Sequence, residues 1–417
     1  MQTLFINVLI LFLNVGTGIL TARLLGPEGR GVQAAIILWP QLLGSTLTLG
    51  LPSALLYHLK KNSGEADKLL SASLFAGLSV GLVGAAVGWV FTPTWLSGYS
   101  VGVVTFTRLG MILVPVMLVS TSYLAVFQAR EDFGFYNTLR IFQPLVSLFI
   151  LVVLALTQSL TAISAAFAFM IPCVPTLAWL LIRVRRSNSL SVRNLGGAYR
   201  QLFSYGLRSY GTDLLSALST QLDRVVIVAL LTPESLGVYA VALSLARALT
   251  VFQSAVASVL FPKAVGKSVL EIVEMSGRAA RISTAVTVAA AGTLAVVGPW
   301  LITFLYGQEF SDSVLLFRIL LIDSVLMGLG WILAQGFNAL GKPELIAVRQ
   351  GISLAVTVPL MLILGKLGIV GIAAAITVGS VVRLAMTLSA YPLLLKTPAP
   401  KLLPQLSDLS YLKSVFK

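Results

Sequence analysis

The sequence predicts an all-α polytopic membrane protein of twelve transmembrane helices, arranged as two parallel six-helix repeats. Hydrophobic residues make up 57% of the 417 positions and charged residues only 11%, and the mean hydropathy is +0.94. A soluble domain carries about 25% charged residues, so this chain lacks the polar surface that water requires. Apolar runs of about 20 residues, the length that lets a helix cross the hydrocarbon core, recur along the chain. The alternating strands of a membrane β-barrel are not seen, so the sequence favours a helical bundle.

Twelve apolar segments predict the spans, and the loops between them are too short to fold as separate soluble domains. The segments cover residues 3–22, 32–57, 69–91, 104–127, 141–157, 160–182, 209–231, 236–262, 282–305, 313–339, 346–364 and 369–395. The first segment has no basic residue before it and is too long for the apolar part of a secretory signal peptide. It is therefore interpreted as the first transmembrane helix.

The basic residues orient the spans, because the cytoplasmic loops of membrane proteins carry an excess of Lys and Arg. With the N-terminus in the cytoplasm, 21 of the 29 basic residues fall on the cytoplasmic side, four on the outer side and four within spans. This split predicts a multi-pass protein of the cytoplasmic membrane with both termini inside. It also explains the net charge of +14, which therefore does not indicate nucleic-acid binding.

An internal repeat divides the spans into two halves. Residues 24–32, Leu-Leu-Gly-Pro-Glu-Gly-Arg-Gly-Val, recur at 230–238 as Leu-Leu-Thr-Pro-Glu-Ser-Leu-Gly-Val, and Arg140 matches Arg349 at a similar shift. Six predicted spans separate the copies, so both halves have the same orientation, and the substrate path of such proteins usually lies between the repeats. The expected domains are an N-terminal six-helix lobe at 1–182, a basic cytoplasmic linker at 183–208, a C-terminal six-helix lobe at 209–396 and a cytoplasmic tail at 397–417.

Arginines inside the spans are the first candidates for a functional site. An ionisable group at the centre of a span costs about 2.5–3.5 kcal/mol on insertion scales, so it needs a partner or a wet cavity. Arg247 and Arg383 lie near the middle of their spans, and we expect them to face one water-filled cavity between the lobes. Arg224 and Arg23 are further candidates for this cavity. Arg318 is also a candidate, although it lies about two turns from the end of its span and can snorkel to the interface.

The chemistry of these residues indicates an anionic substrate. A guanidinium binds phosphate oxygens with two parallel hydrogen bonds and keeps its charge, so a cavity with several arginines suits a diphosphate group. Asp213, Asp223 and Asp323 are the candidates for binding a coupling proton or cation. The spacing of Asp213 and Asp223 predicts that both lie along one stripe of the seventh span. Polar residues such as Asn14 and Gln41 either line the same cavity or join neighbouring helices by hydrogen bonds.

Several classes of function are disfavoured by what the sequence lacks. There is no Gly-Lys-Ser/Thr phosphate-binding loop, so the chain is not expected to hydrolyse ATP. It contains a single cysteine, Cys173, and a single histidine, His58, so we expect no internal disulfide, no metal site and no cofactor. No long outer loop carries clustered acidic residues, which disfavours a membrane-embedded glycan polymerase or glycosyltransferase. The buried arginines argue against a scaffold without transport function.

Three motifs occur in the order typical of a known family. They are Thr-Ala-Arg-Leu-Leu-Gly-Pro-Glu-Gly-Arg-Gly at 21–31, Gln-Leu-Asp-Arg at 221–224 followed by Thr-Pro-Glu at 232–234, and Gly-Ile-Val-Gly-Ile-Ala-Ala-Ala at 368–375. This set resembles the polysaccharide-biosynthesis flippases, of the O-antigen flippase type, in the multidrug/oligosaccharidyl-lipid/polysaccharide (MOP) superfamily. The resemblance covers nearly the whole chain and implies a MATE-like fold of two lobes around a central cavity.

The resemblance also implies a function. The leading hypothesis is a flippase, not an enzyme, that moves an undecaprenyl-diphosphate-linked oligosaccharide to the outer leaflet by alternating access. Its implied partners are this substrate, membrane lipids and, as candidates, a glycan polymerase and chain-length proteins of lipopolysaccharide assembly. A MATE-type drug or cation antiporter is the alternative within transporters, and its cavity would favour acidic and aromatic side chains. A membrane-embedded glycan polymerase or glycosyltransferase is the alternative from another class.

Overall fold

Every regular element in the described part of the chain is helical. The computed structural model describes residues 2–61, 63–189, 194–264, 266–342 and 344–402. Short 3₁₀ turns occur at Ser63–Glu65, Gln308–Phe310 and Gly365–Leu367. The α-helices are α1 Gln2–Thr46, α2 Leu51–Lys61, α3 Ala66–Trp95, α4 Val101–Met111, α5 Val114–Ala129, α6 Phe133–Leu156, α7 Ala162–Met170, α8 Cys173–Arg185, α9 Gly196–Ser219, α10 Leu222–Leu230, α11 Pro233–Ala246, α12 Ala248–Ala264, α13 Val269–Tyr306, α14 Ser313–Ala339, α15 Glu344–Leu364 and α16 Ile369–Leu394.

The first two predicted spans lie mostly on one long helix with an internal break. α1 has 45 residues, and Gly26 interrupts it with a φ of 68° and a ψ of −178°. A straight helix of that length would measure about 68 Å, more than twice the hydrocarbon core, so the break divides it into two spans. The second span breaks again before α2, where Leu49 and Gly50 both have positive φ.

The seventh predicted span is also broken. α9 ends at Ser219 and α10 begins at Leu222, with Gln221 at φ −127° and ψ −21° between them. The sequence places Asp213 and Asp223 on one face of a continuous helix, and this expectation is wrong because the two residues lie on different helices.

The helices confirm an all-α, multi-pass membrane protein. In the described residues, eight helices are long and apolar enough to cross a membrane, and ten spans result if each of two bent helix pairs is one span. The bent pairs are α4–α5 and α11–α12, each bent by 42°. The predicted count of twelve is reached when α1 is divided at Gly26 and the α9–α10 pair is added.

The chain forms two compact units, Met1–Ala240 and Val241–Lys417. α9 belongs to the first unit because it packs against α1, α2 and α3, and the boundary between the units falls later, inside α11. The division into lobes at the predicted linker, 183–208, remains a prediction. Residues 190–193 of that linker, which include Arg193, lie outside the described residues, as do residues 403–417 of the predicted tail with Lys413 and Lys417.

Each unit has its own buried apolar core. In the first unit, Tyr123 of α5 is fully buried, and its hydroxyl donates to the Leu70 carbonyl of α3 at 2.9 Å. In the second unit, Ile332 and Phe337 of α14 are fully buried. Large apolar side chains also point outward, and Val296 is 79% exposed. Extensive apolar exposure would be unfavourable in water, so these outer faces suit contact with lipid chains.

The two copies of the repeated motif contact each other within the first unit. A Cβ added at Gly31 would overlap the Pro233 carbonyl, and one added at Gly237 would overlap the Pro27 carbonyl. Each glycine therefore lies against the proline of the other copy. Reciprocal contacts of this kind are what a two-fold relation between equivalent segments produces.

Candidate translocation cavity

A cavity of about 620 Å³ lies within the first unit, between α1, α5, α6, α7 and α8. Its polar lining residues are Asn14, Gln41, Ser45, Thr48, Ser120, Thr121, Arg140, Gln143, Ser147 and Thr176. Its other lining residues are Ile10, Ile37, Gly44, Met117, Leu124, Leu139, Pro144, Phe169, Met170, Cys173 and Leu180. Among these lining residues, Arg140 alone carries a charge at neutral pH. The cavity therefore combines hydrogen-bonding groups, apolar walls and one fixed cation.

The polar residues of the first two spans contribute to this cavity. Asn14, Gln41 and Ser45 lie on α1, and Thr48 lies in the break between α1 and α2. The sequence left open whether such residues join helices or line a cavity, and the structure places these four on the cavity. Thr21, also on α1, is instead buried and donates to the carbonyl of Thr17 at 2.8 Å.

Arg140 is positioned by the early start of α6. The helix begins at Phe133, where the Asp132 carboxylate accepts a hydrogen bond from the backbone N–H of Phe135 at 3.1 Å. Arg140 therefore lies about 10 Å along the helix axis. Its Nη2 donates to Asn7 Oδ1 at 2.8 Å, and its guanidinium carbon lies 5.5 Å from the centre of the Tyr136 ring. A guanidinium has five N–H donors, so this one hydrogen bond within the described chain leaves others for a ligand.

Sequence reasoning missed Arg140 as a site residue. The fifth span is predicted to begin at residue 141, which puts Arg140 in a cytoplasmic loop, whereas α6 begins eight residues earlier. The segment 133–140 mixes apolar residues with Asn137, Thr138 and Arg140, and hydropathy therefore places the start of the span too late. The available signal was the repeat, because Arg140 and Arg349 occupy matching positions in the two halves.

Of the predicted cationic residues in the first unit, neither Arg23 nor Arg224 is among those that line the cavity. Arg23 is exposed on α1. Arg224 is half-buried, and its Nη2 donates to the carbonyl of Thr220, one turn earlier, at 3.2 Å. This hydrogen bond holds Arg224 against the break between α9 and α10.

The other predicted arginines lie in the second unit. Arg247 is half-buried at the 42° bend between α11 and α12. Arg318 is exposed, and its Nε donates to the Ala295 carbonyl at 3.2 Å. Arg383 is half-buried on α16, and its Nη2 donates to Ser380 Oγ at 3.3 Å. The expectation that Arg247 and Arg383 share one water-filled cavity remains a prediction.

The three candidate carboxylates are held by hydroxyl groups. In the first unit, Asp213 accepts a hydrogen bond from Ser53 at 3.3 Å, and the buried Asp223 accepts one from Tyr239 at 2.6 Å. The second oxygen of Asp223 is buried without a hydrogen-bond partner among the described residues.

In the second unit, Asp323 is buried and accepts a hydrogen bond from Ser380 at 2.6 Å. Because Ser380 is also the acceptor for Arg383, this hydroxyl connects a carboxylate on α14 with a guanidinium on α16.

Arg349, the repeat partner of Arg140, has a different environment. It is 8% exposed on α15, and its Nη1 donates to the Gly330 carbonyl at 3.2 Å and to Thr387 Oγ1 at 2.9 Å. These bonds join α15 to α14 and α16. Of two arginines at matching repeat positions, one lines a cavity and the other connects three helices.

Within the described residues, no three His, Cys, Asp or Glu side chains are grouped so as to hold a metal ion. The chemistry available in the cavity is therefore that of hydrogen bonds, apolar contact and one guanidinium.

Comparisons with known proteins agree with this architecture. A sequence profile described as polysaccharide biosynthesis protein matches residues 20–315. Among solved structures, an inward-facing multidrug resistance MATE family transporter of the MOP superfamily has a TM-score of 0.76 and 17% identity, covering 96% of both chains. The lipid II flippase MurJ, in an inward closed conformation, has a TM-score of 0.78 and 17% identity, covering 99% of this chain and 90% of that chain. No match was found among the curated proteins.

The membrane-crossing helices and these structural neighbours define a multi-pass membrane protein with a MATE-like fold. Within this class, the chain belongs to the polysaccharide biosynthesis protein family, since the match covers well over half of its length. The resemblance to polysaccharide-biosynthesis proteins inferred from the three motifs is thereby confirmed. Both named neighbours are transport proteins.

Proposed function

We propose that this protein is a flippase that moves an undecaprenyl-diphosphate-linked oligosaccharide across the cytoplasmic membrane by alternating access. Its product would supply the assembly of a cell-surface polysaccharide. The observation that carries the proposal is the cavity of the first unit, in which one arginine lies among amide and hydroxyl side chains. Membership of the polysaccharide biosynthesis protein family supports the same assignment.

The cavity suits the headgroup of such a substrate. Its volume of about 620 Å³ lies within the range of about 300–1,000 Å³ typical of small-ligand sites. The guanidinium of Arg140 can bind phosphate oxygens with charge-assisted hydrogen bonds. Gln41, Gln143 and Ser147 offer donors and acceptors that match sugar hydroxyls. The polyprenyl chain needs no pocket, because it can remain in the surrounding lipid.

A cation antiporter is less well supported by the same cavity. A cationic substrate would be stabilised by a carboxylate, and no lining residue described for this cavity is Asp or Glu. Five residues outside this cavity are also candidates for a role in transport. Asp213, Asp223 and Asp323 are retained as candidates for a coupling ion, and Arg247 and Arg383 as candidates for substrate contact, since each lies on or beside a predicted span.

The proposal is tested by complementing a strain that lacks this protein. Without it, the lipid-linked glycan should accumulate on the cytoplasmic face, and the intact chain should restore export. We expect Arg140→Ala to lower export at least about tenfold at normal expression, because the charge-assisted bonds to phosphate are lost. Arg140→Lys should restore export only in part, since an ammonium keeps the charge but cannot form the bidentate hydrogen bonds of a guanidinium to phosphate.

The matched control is Arg108→Ala. Arg108 also has one hydrogen bond, to the Trp89 carbonyl at 3.0 Å, and lies 5.8 Å from the centre of the Trp89 ring, but it does not line the cavity. Full export by Arg140→Ala would contradict the assigned role of the cavity. A strain that exports its glycan normally but becomes sensitive to cationic drugs would instead favour the antiporter.

A further inference from the structure

A second cavity, of about 290 Å³, lies where the start of α6 meets the end of α8 in the first unit. It is lined by Phe135, Trp179, Ile182, Arg183 and Arg186. The rings of Phe135 and Trp179 meet edge to face at 5.4 Å, and the Arg183 guanidinium carbon lies 5.6 Å from the centre of the Phe135 ring. The pocket therefore has an aromatic wall and two guanidinium groups.

The pocket keeps a net positive charge. The carboxylate closest to Arg183 is that of Asp132, whose Oδ2 lies 3.9 Å from Arg183 Nη2. This contact is long, and both side chains are substantially exposed, so it contributes little. The other Asp132 oxygen is already engaged at the start of α6, where it accepts the Phe135 N–H. Arg186 adds a second positive charge, one turn after Arg183 on the same helix face.

An apolar stripe leads along α8 to this pocket. Ile171, in the turn before α8, is 47% exposed. Val174, Trp179 and Ile182 of α8 are 45%, 37% and 54% exposed, and their spacing places them near one face of the helix. An exposed apolar face followed by a tryptophan and then by arginines is the order found at a membrane interface. The stripe would contact acyl chains while the pocket lies at headgroup level.

We propose that this pocket binds the headgroup phosphate of an anionic phospholipid from the surrounding bilayer. Arg183 and Arg186 bind the phosphate, the Trp179 ring packs beside the glycerol region, and the acyl chains lie along Val174 and Ile171. The ligand is part of the bilayer rather than the transported substrate, because the pocket shares no lining residue with the cavity that contains Arg140. A free phosphate ion could meet the same guanidinium groups but would gain nothing from the stripe.

The test uses the purified full-length protein and native mass spectrometry, with phosphatidylglycerol and phosphatidylcholine as the probes. We expect tighter binding of phosphatidylglycerol, and Arg186→Gln should weaken it about fivefold, the effect of one basic residue near an anionic surface. Arg185→Gln is the matched control, since Arg185 is exposed on the same helix but outside the pocket. Brominated phosphatidylglycerol should quench tryptophan fluorescence, and Trp179→Phe should remove most of this quenching.

Three results would overturn the proposal. One is equal binding of the two lipids, and another is an equal loss of phosphatidylglycerol binding in Arg185→Gln and Arg186→Gln. The third is complete displacement of the lipid by inorganic phosphate at an equal concentration, which would identify a site for a soluble anion.

Discussion

At the residue scale, Asp223 is a buried carboxylate of the first unit with one described hydrogen bond. It is 7% exposed, and one of its oxygens accepts the Tyr239 hydroxyl at 2.6 Å while the other has no partner among the described residues. A buried polar group that loses its hydrogen bond costs about 1–3 kcal/mol, and more when it is charged. The bond to Tyr239 therefore contributes directly to the stability of the contact between α10 and α11.

We predict that Tyr239→Phe lowers the free energy of unfolding by about 1–3 kcal/mol, because the Asp223 carboxyl then loses its described hydrogen bond. Thermal unfolding in detergent measures this change. Tyr99→Phe is the control, since the Tyr99 hydroxyl is buried without a hydrogen-bond partner in the described chain and its removal should be neutral or stabilising. Equal melting temperatures of Tyr239→Phe and the unsubstituted protein would contradict the prediction.

At the scale of the elements, the breaks in the helices decide where polar backbone lies. A helix break at membrane depth leaves carbonyl and N–H groups without intrahelical partners, and it is tolerated where protein or a wet cavity surrounds it. The break between α1 and α2 fits this rule, because Thr48 within it lines the cavity of the first unit. The bend at Arg247 and the break at Gln221 put two further irregular segments beside candidate residues.

The contact between α1 and α11 gives a second prediction. Gly31 and Gly237 lie against the carbonyls of Pro233 and Pro27, so a methyl group at either position would force the two segments apart. We expect Gly31→Ala and Gly237→Ala each to destabilise the protein by about 1–3 kcal/mol, the usual cost of overpacking a close contact.

Gly16→Ala on α1 is the control for these two substitutions. A Cβ at Gly16 would meet nothing within 4 Å, and alanine favours helix more than glycine does. The melting temperature in detergent should therefore fall for Gly31→Ala and Gly237→Ala and stay equal or rise for Gly16→Ala. A fall of the same size in all three would show that the close contact is not the cause.

At the scale of the whole molecule, the orientation in the membrane follows from the charge distribution. With twelve spans and the basic residues on the cytoplasmic side, both termini are expected inside and the Gly26–Gly31 segment outside. Cys173 is buried, so a background without it changes one shielded side chain and gives a chain free of other thiols.

We predict that Glu28→Cys, in a Cys173→Ser background, reacts with a membrane-impermeant maleimide added to intact cells. Lys342→Cys, between α14 and α15, should react only after the cells are permeabilised, because the same topology places it in the cytoplasm. Labelling of both positions from the same side would mean that an odd number of spans between them has been missed or wrongly added. Labelling of Glu28→Cys only after permeabilisation would reverse the orientation.

The sequence by itself determined the fold class, the family and the approximate place of most spans. These follow from hydropathy, charge distribution and short motifs, which are local properties that survive without knowledge of packing. The ends and breaks of the helices were harder to predict from the sequence. The start of α6, where polar and apolar residues are mixed, and the interruption at Gln221 depend on the surrounding structure, which hydropathy does not record.

Only the tertiary structure decided which polar residues meet. It placed Arg140, with Asn7 beside it, on a cavity wall. The matching Arg349 instead forms hydrogen bonds that join three helices. The physical reason is that a cavity is formed by residues far apart in the chain, here from α1 to α8. A side chain's distance from the end of its span says how costly its charge is, but which partner or space compensates that cost depends on packing.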